Sequence, residues 1–439
     1  MNKSTMMVLL FLLATTIFGA TNVIALQGAG TQNYYYNNEQ TYSYHYLPST
    51  NYGEEAGNDN IYSYNNNYYY PHPSSTPIPQ SSDYPQDVTK YECQKGPFKG
   101  FFASSPEFCD TSSLTLMTWN IYQGADLSPL FNASTPTEFV TAVGSAYNRV
   151  QATNFVERAD SIADEIQKTR PDLIGLQEVI LLRTQIPSDG PATPATNISL
   201  DYLKILIDTL AERGLIYEQV VVQNGTDIEV PGLISTGLVD IRLTDRDVIL
   251  ARADNKDFTL SNTNGAQFAA KLPLTTLFGP ISIPHSWVSV DVTFNKEYKV
   301  RIVSTHLEPL SPIIQSLQAD ELLNGPGNTH LPVVFMGDFN SNADGTGTPT
   351  YSKLKDAGFI DAWTVKGKGT GFTCCQFEDL LNQNSSLDER SDLVLFRGDF
   401  KVKDIKVVGN SQNDRTISGL WPSDHAGVVA TLKLNGDKY

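Results

Sequence analysis

Apolar segments of strand length recur along this chain, and several of them stop abruptly on a polar side chain. The polar residues at or beside these strand ends are Asn120, Glu178, His306, Asp338, Asn340, Asp424 and His425. Because a strand holds its last side chain at the rim of a sheet, several such ends meeting at one rim form a polar pocket on a rigid scaffold. Any one of them alone is typical of a turn or a solvated cap, so only the whole set indicates a functional site.

The spacing of apolar residues predicts many short strands and few long helices. The predicted strands cover residues 114–121, 172–179, 247–251, 287–292, 300–305, 332–336, 392–396 and 427–434. Helices are predicted over residues 154–168, 201–213 and 349–357, and Ser311 and Pro312 stand in the N-cap and N1 arrangement that opens another. This pattern favours an α/β or α+β fold of mixed, mostly antiparallel sheets covered by helices over a doubly wound parallel fold.

The first 26 residues have the features of a targeting segment. Lys3 precedes an apolar run over residues 6–18, and Ala20 and Ala25 offer small residues for cleavage. The alternative is an uncleaved anchor, because residues 6–26 together are about as long as the roughly 20 residues that span a bilayer. We therefore predict a secreted protein, with a membrane-anchored form carrying an external domain as the alternative. Triplets of the glycosylation type begin at Asn132, Asn197, Asn224 and Asn384.

The composition changes abruptly after the leader. Residues 27–87 hold 13 of the 21 tyrosines, together with Asn, Ser, Gln and Pro, and almost no Leu, Val or Ile. A segment without an apolar face cannot offset the entropy of ordering its backbone, so residues 27–92 are predicted to be a disordered linker. The alternative is an adhesive stalk that associates with a cell surface. Residues 93–439 are predicted to form one catalytic domain, which we expect to be monomeric.

The four cysteines leave several pairings open. They are Cys93, Cys109, Cys374 and Cys375. We favour a bridge between Cys93 and Cys109, which closes a short loop at the entrance of the domain. Cys374 and Cys375 would form a bridge between neighbours or pair with the other two. No CxxC spacing or nearby histidine accompanies the cysteines, so we do not expect them to ligate a metal.

The net charge restricts the partners of this protein. At −17, with a pI near 4.7, the chain repels polyphosphate backbones unless bound cations or local basic residues reverse the field. Stoichiometric coating of nucleic acid is therefore not expected. The same acidic balance suits a protein that binds Mg²⁺ or Ca²⁺ through carboxylate oxygens.

Short motifs in a fixed order over residues 114–434 resemble the endonuclease/exonuclease/phosphatase superfamily. The matching residues are Asn120 in TWNI, Glu178 in LQEV, His306 in STHLE, Asp338 and Asn340 in GDFN, Asp392 in RSDLVLF, and Asp424 and His425 in SDH. This resemblance implies a four-layer αββα sandwich and a divalent-metal-dependent phosphoester hydrolase.

The resemblance also implies a role for each matching residue. Glu178 would hold Mg²⁺, with Mn²⁺ or Ca²⁺ as alternatives, and Asn120 and Asp424 would assist it. Asp338 and Asn340 would orient the attacking water and the phosphate. Asp392 would accept a hydrogen bond from His425, and His306 would be the second imidazole at the phosphate. The roles of general base and of charged stabiliser both remain open for His425, as does the number of metal ions.

One position of the family pattern is poorly matched. Between Glu178 and His306 the family has a strand with a polar residue facing the phosphate, and residues 244–250 are the best candidate. The inward residue is Arg246 or Asp247, and Arg246 would be a phosphate clamp. His285 and His330 stand beside prolines in loops and are interpreted as structural or exposed.

Three functions remain after this comparison. The first is a phosphodiesterase of the endonuclease type, and the second is a sphingomyelinase-like enzyme acting on phospholipid headgroups. A lipid enzyme needs an apolar surface for membrane contact, and residues 266–283 would supply one, unless they form an internal hairpin. The third is a non-catalytic binding protein on the same fold. We rank it last, because the chain keeps every metal-binding and water-orienting residue of the pattern.

Overall fold

Sixteen strands and seven helices follow one another in the computed structural model, which describes residues 113–190, 193–277, 279–294 and 298–434. The strands are β1 (Ser113–Asn120), β2 (Leu173–Gln177), β3 (Leu181–Gln185), β4 (Asn197–Asp201), β5 (Tyr217–Ile234), β6 (Gly237–Arg252), β7 (Phe258–Gln267), β8 (Leu272–Thr276), β9 (Gly279–Ile283), β10 (Ser286–Phe294), β11 (Tyr298–His306), β12 (Val333–Asp338), β13 (Ile360–Asp361), β14 (Asp392–Arg397), β15 (Phe400–Val408) and β16 (Gly427–Leu434). The predicted leader, the linker and the Cys93–Cys109 pair lie outside the described residues.

The helices are short apart from two that precede β2. They are α1 (Ser128–Phe131), α2 (Pro136–Ala152), α3 (Phe155–Thr169), α4 (Tyr202–Glu212), α5 (Pro312–Asn324), α6 (Thr350–Asp356) and α7 (Ala362–Lys366). Side chains cap the predicted starts: Asn154 accepts from Glu157 N, and Ser311 accepts from Ile314 N ahead of Pro312. None of the described helices is long and apolar enough to cross a membrane.

The strands form two large mixed sheets and one separate hairpin. The first sheet has the order β15-β16-β1-β2-β6-β3-β4, with β5 paired to β6, and the second has the order β13-β14-β12-β11-β10-β7. Only the pairs β1–β2 and β11–β12 are parallel among the described pairings. The predicted mixed, mostly antiparallel architecture is therefore confirmed.

Three apolar layers hold the two sheets and the helices together. One layer joins the first sheet to α2, α3 and α4, for example through Trp119 and Ile162. A second lies between the sheets and includes Leu116, Ile302 and Met336, and a third joins the second sheet to α5 and α6. Burying an aliphatic side chain of this size stabilises a fold by about 1.5–3 kcal/mol. The order helix, sheet, sheet, helix is the predicted αββα sandwich.

Glycine allows a close approach of backbone near the ends of two strands. A Cβ on Gly175 of β2 would lie 2.5 Å from Ser304 Oγ in the other sheet. Gly337 has φ +150°, and a Cβ there would lie 2.0 Å from the Thr305 carbonyl oxygen of β11. A side chain at either position would separate the strands, so these glycines set the spacing at the end of the sandwich where the polar strand ends meet.

Candidate active site

Strand register brings the predicted polar residues together at one end of the sandwich. In the second sheet, His306 at the end of β11 is the register partner of Asp338, and Asp338 is the partner of Asp392 on β14. In the first sheet, the parallel strands β1 and β2 end side by side at Asn120 and just before Glu178. Asn120 of the first sheet donates from Nδ2 to Asp338 Oδ2 of the second sheet at 3.2 Å. This hydrogen bond joins the two sheets at the site, along the line that we call the seam.

Asp338 lies at the centre of this cluster. Its Oδ2 is 3.7 Å from His425 Nε2 and 3.8 Å from His306 Nε2, and its Oδ1 accepts a hydrogen bond from Asn340 N at 2.9 Å. Burial raises the pKa of a carboxyl, but the two histidines and the hydrogen bonds hold the pKa of Asp338 below its usual range. Asp338 is therefore a carboxylate that faces two imidazoles.

His425 is held by a buried carboxylate on its other side. Its Nδ1 lies 2.8 Å from Asp392 Oδ2, and because a carboxylate only accepts, Nδ1 carries the proton and Nε2 is directed toward Asp338. Burial disfavours the imidazolium, but the charges of Asp392, Asp338 and Asp424 outweigh it and raise the pKa of His425 well above its usual value. The contact with Asp392 and the nearby carboxylates therefore favour the charged form of His425.

Glu178 is fixed in an uncommon backbone conformation. Its φ is +56°, and its carboxylate accepts from Asn120 Nδ2 at 3.0 Å and from Gln123 N at 2.6 Å. Tyr122 and Asn340 also have positive φ, +59° and +48°. Each such residue costs about 1–3 kcal/mol and persists where surrounding contacts impose it, most often at functional sites.

The remaining predicted residues, Asn340 and Asp424, also border the cluster. Asn340 Nδ2 donates to Leu307 O at 2.8 Å and so ties the GDFN turn to the residues that follow His306. Asp424 is 7% exposed. Burial, followed by the charges of Asp424 and Glu178, raises the pKa of the Tyr122 hydroxyl.

Two buried arginine side chains donate hydrogen bonds to backbone carbonyls near the site. Arg158, fully buried, donates to the carbonyl oxygens of Ile121, Tyr122 and Pro422, and thereby links the turn after Asn120 to the SDH segment. Arg246 pairs with Asp201 at 2.6 Å and donates to the carbonyls of residues 179 and 180. Among the described residues, no hydrogen bond joins Arg246 to the central cluster. The predicted phosphate clamp therefore has no support in the contacts of this residue.

A second group of titratable side chains adjoins His306, and it includes Asp247, one of the two residues that the sequence offered for the inward position. On β6 the alternation of side chains turns Asp245 and Asp247 to the face opposite Arg246, and Asp247 accepts a hydrogen bond from Ser286. Burial raises the pKa of both carboxyls, and the charge of Asp245 adds to the effect on Asp247. The alternation of side chains along this strand was the sequence signal that places both aspartates on one face.

His285 was interpreted as structural or exposed, and it lies buried against the site. Its ring centroid is 4.8 Å from that of His306 in an edge-to-face arrangement, and its Nε2 is 3.4 Å from Glu308 Oε2. His285 Nδ1 and His306 Nδ1 are buried without a hydrogen-bond partner among the described residues. No local sequence pattern marks this contact, because His285 reaches the site through the start of β10.

The two neighbouring cysteines also adjoin His425. Cys374 and Cys375 form a disulfide, so the open alternative of a bridge between neighbours is the one present. Cys375 Sγ lies 3.8 Å from His425 Nε2. Two sets of side chains in the described part of the chain converge closely enough to hold a metal ion: Asp338, Asp392 and His425, and Cys374, Cys375 and His425.

The donors at this site fit a hard divalent cation. Glu178 and Asp338 each accept a hydrogen bond from Asn120, and Asp392 is the register partner of Asp338. The buried Oδ1 of Asp392 has no hydrogen-bond partner among the described residues. Carboxylate and amide oxygens are the ligands that Mg²⁺, Mn²⁺ and Ca²⁺ prefer. A bound cation would also offset the repulsion between these carboxylates.

A four-layer sandwich with carboxylates and two imidazoles at one end defines a phosphoester hydrolase. The model of the Endonuclease/Exonuclease/phosphatase family matches residues 117–425, and this chain belongs to that family, whose members are typically dependent on a divalent metal. No curated protein sequence matches the chain significantly.

Several solved structures are similar to this chain in fold. An endonuclease/exonuclease/phosphatase family protein from Leptotrichia buccalis C-1013-b is 17% identical, with a TM-score of 0.47, over 73% of this chain and 100% of its own. A mannosyl-6-phosphatase from Bacteroides thetaiotaomicron VPI-5482 is 16% identical, with a TM-score of 0.47, over 73% and 99%. A D. rerio TDP2 humanized by 14 mutations is 18% identical, with a TM-score of 0.43, over 73% and 99%.

Proposed function

We propose that this chain is a Mg²⁺-dependent phosphodiesterase. The observation that carries the proposal is the position of Asp338 Oδ2, which lies 3.7 Å from His425 Nε2 and 3.8 Å from His306 Nε2. A carboxylate between two imidazoles can orient a water molecule while the imidazoles donate to phosphate oxygens. Phosphoryl transfer depends mainly on such positioning and on neutralising charge.

The residues divide into those that hold the cation and those that act on the phosphate. Glu178, Asn120 and Asp424 would hold Mg²⁺, with Mn²⁺ or Ca²⁺ as alternatives, and the bound ion supplies positive charge next to a phosphate oxygen. Asp338 accepts a hydrogen bond from the attacking water. His425, charged by its contact with Asp392, donates to the phosphate.

His306 completes the reaction in this proposal. The water oxygen forms a bond to phosphorus as the bond from phosphorus to the leaving oxygen breaks, and His306 gives a proton to that oxygen. The proton lost by the water replaces the one that His306 has given up, so the protons of the site balance over one turnover. His306 Nδ1 is buried beside His285, so Nε2 is the atom of His306 that faces the cluster.

The charges around the site favour a diester over a monoester and over a long polyanion. Near neutral pH a diester carries about one negative charge and a monoester close to two, so the carboxylates repel the diester less. Four arginines that stand near the motifs in the sequence are each paired with an aspartate: Arg183 and Arg242 with Asp227, Arg246 with Asp201, and Arg390 with Asp361. Endonuclease activity on long duplexes is therefore the less favoured form of this activity.

A phospholipid headgroup is the second candidate substrate, and the β8–β9 hairpin favours it. Leu272 pairs with Ile283 and Leu274 with Ile281, which places four apolar side chains on one face. None of them belongs to the described core clusters. In a chain of net charge −17, residues 268–285 contain no acidic residue. The hairpin leads directly into His285 at the site, so a membrane contact there would bring headgroups to the catalytic residues.

We also propose that the protein is exported. The targeting features of residues 1–26 support this, as do the four glycosylation triplets, whose asparagines Asn132, Asn197, Asn224 and Asn384 are all exposed. Expression of the full chain in a eukaryotic host would test it: glycosidase-sensitive protein in the medium supports export, whereas unglycosylated protein confined to the cell contradicts it.

A panel of substrates tests the proposed activity. Purified protein is incubated with Mg²⁺, Mn²⁺ or Ca²⁺ and DNA, RNA, sphingomyelin vesicles, a soluble phosphodiester or inositol phosphates. We expect metal-dependent cleavage of a diester that is lost in His425→Ala, while Asp361→Asn, a buried carboxylate bound to Arg390 outside the imidazole cluster, retains it. Cleavage of monoesters alone would contradict the diester proposal, and no cleavage of any substrate would contradict hydrolysis altogether.

A further inference from the structure

The bonded pair Cys374 and Cys375 lies against the imidazole that faces the reaction centre. Cys375 Sγ is 3.8 Å from His425 Nε2, the same nitrogen that is 3.7 Å from Asp338 Oδ2. The ligand atoms of Cys374, Cys375 and His425 all lie within 4.8 Å of one another. Both cysteines are only half-buried, so a reductant or an ion in solution reaches them.

The backbone holds the cysteines at this position independently of the disulfide. Cys374 N donates to Glu389 O at 3.0 Å, and Cys374 O accepts from residues 388 and 389. Cys375 O accepts from Ser386 Oγ at 2.8 Å, and the next residue donates to Asp424 O. Because these bonds do not involve sulfur, the thiols of the reduced protein stay beside His425.

The distance between Cys375 and His425 fits a tetrahedral site for zinc. With bonds of about 2.3 Å to sulfur and about 2.0–2.1 Å to nitrogen, a tetrahedral Zn²⁺ places the two donor atoms about 3.6 Å apart, close to the observed 3.8 Å. His425 Nδ1 lies 2.8 Å from a buried oxygen of Asp392. Most metal-binding histidines donate their second ring nitrogen to a carboxylate in this way, which aims the other nitrogen at the ion.

We propose that Cys374, Cys375 and His425 form a redox-controlled site for Zn²⁺, and that zinc bound there removes His425 from hydrolysis. In the oxidised chain the sulfurs bond to each other and His425 Nε2 faces Asp338. A dithiol reductant transfers two electrons and two protons to the disulfide and becomes a cyclic disulfide itself. The two thiols then bind Zn²⁺ and release two protons, and His425 releases a third proton from Nε2 before that nitrogen supplies the third ligand.

Water or Asp338 Oδ2 completes the coordination, since Asp338 approaches the same nitrogen. The bound zinc therefore occupies the space in which a phosphate would meet His425. The inhibitory half of this proposal rests on the proposed function, whereas the binding half does not. Zinc binding is consequently measured first, without any substrate.

The binding experiment compares the oxidised and reduced full-length protein. After reduction and removal of the reductant without oxygen, each form is titrated with Zn²⁺ alone, and Co²⁺ serves as a spectroscopic probe of thiolate ligation. We expect one additional equivalent of Zn²⁺ and a thiolate-to-cobalt absorption band in the reduced form only. Cys374→Ser/Cys375→Ser retains Cys93 and Cys109, so it controls for their reduction and should lack both signals. Equal binding by the two wild-type forms would overturn the proposal.

Two further variants test whether His425 is a ligand. His425→Ala should lose the tetrahedral cobalt spectrum, and Asp392→Asn should weaken zinc binding by about 10- to 100-fold. Unchanged affinity in His425→Ala would overturn the assignment of this ligand. Activity is then measured in excess Mg²⁺ as the ratio with and without Zn²⁺ for each form. We expect that ratio to fall at least about tenfold in reduced wild type only, because His425 no longer acts on the phosphate. An equal ratio in both forms would overturn the inhibitory role.

Discussion

The hydrogen bond between His425 and Asp392 allows a quantitative test of the site. The 2.8 Å contact is almost fully buried, with side-chain exposures of 7% and 0%. A hydrogen bond to a charged group contributes about 1.5–3 kcal/mol, and each 1.4 kcal/mol of transition-state stabilisation is a factor of about ten in rate. Asp392→Asn should therefore lower kcat/KM for a soluble phosphodiester by roughly 10- to 150-fold.

The same substitution should shift the pH profile. In the wild type the pKa of His425 is disfavoured by burial and then raised well above its usual value by Asp392, Asp338 and Asp424. Asparagine removes one of these charges, so the apparent pKa assigned to His425 should fall, whether that group acts as a base or as a charged donor. The assay is kcat/KM against pH at saturating Mg²⁺ for the wild type and for Asp392→Asn.

Asp361→Asn is the matched control for this experiment. Asp361 is also a buried carboxylate, but it accepts from Arg390 and Tyr351 and not from a histidine. It should lower stability without moving the pH profile. An Asp392→Asn enzyme with wild-type kcat/KM and an unshifted profile would refute the role assigned to this contact.

Three further substitutions test other parts of the structure. Glu178→Gln should raise the Mg²⁺ concentration for half-maximal activity roughly tenfold or more, and an unchanged metal titration would contradict the placement of the cation. Burial, and then the charge of Asp245, raise the pKa of Asp247. Ionisation of Asp247 therefore lowers the free energy of unfolding as the pH rises above about 3.9. The free energy of unfolding is measured with urea in the presence of a chelator. Asp247→Asn should be about 1–3 kcal/mol more stable than the wild type at pH 7 and no more stable at low pH. A less stable variant at pH 7 would contradict this. Gly337→Ala should destabilise by more than about 3 kcal/mol, whereas Gly347→Ala, with φ +80° and open space, should cost only about 1–2 kcal/mol; equal thermal shifts would contradict the close approach at β11.

The sandwich was predictable because its central strands are continuously apolar and end on distinctive polar residues. The strands β1, β2, β11, β12 and β16 were all predicted within two residues at each end. Their order of polar ends also predicted the set of residues that meets at the seam. Central strands such as β2 and β12 are buried on both faces, so they fit only the interior of the sandwich.

The edges of the sheets were not predictable in the same way. The strand β5 covers Tyr217–Ile234 and is mostly half-exposed, with Gly, Asn, Asp and Pro along its length. Such residues are depleted in strands, so the segment has no local signal for an 18-residue strand. It is formed by its pairing with β6, a contact made through tertiary structure.

Contacts between distant residues account for the site features that were missed. The sequence left open whether Arg246 or Asp247 faces the phosphate. Arg246 lies on the opposite face of β6 from Asp247, and its partner is Asp201, the N-cap residue of α4. No histidine is near Cys375 in the sequence, but His425, 50 residues away, reaches it through an isolated bridge between Cys374 and His425. The spacing of the cysteines in the sequence therefore could not show that a distant histidine lies beside them.

Metal-restored hydrolysis is the most direct test of the central claim that the seam around Asp338 is a phosphodiesterase site. Purified protein is freed of metal with a chelator, and hydrolysis of a soluble phosphodiester is followed as Mg²⁺ is returned, for the wild type and His425→Ala. We expect no hydrolysis without metal, recovery with Mg²⁺ in the wild type, and a loss of at least about a hundredfold in His425→Ala. Metal-independent hydrolysis, or equal rates in the two proteins, would contradict the claim.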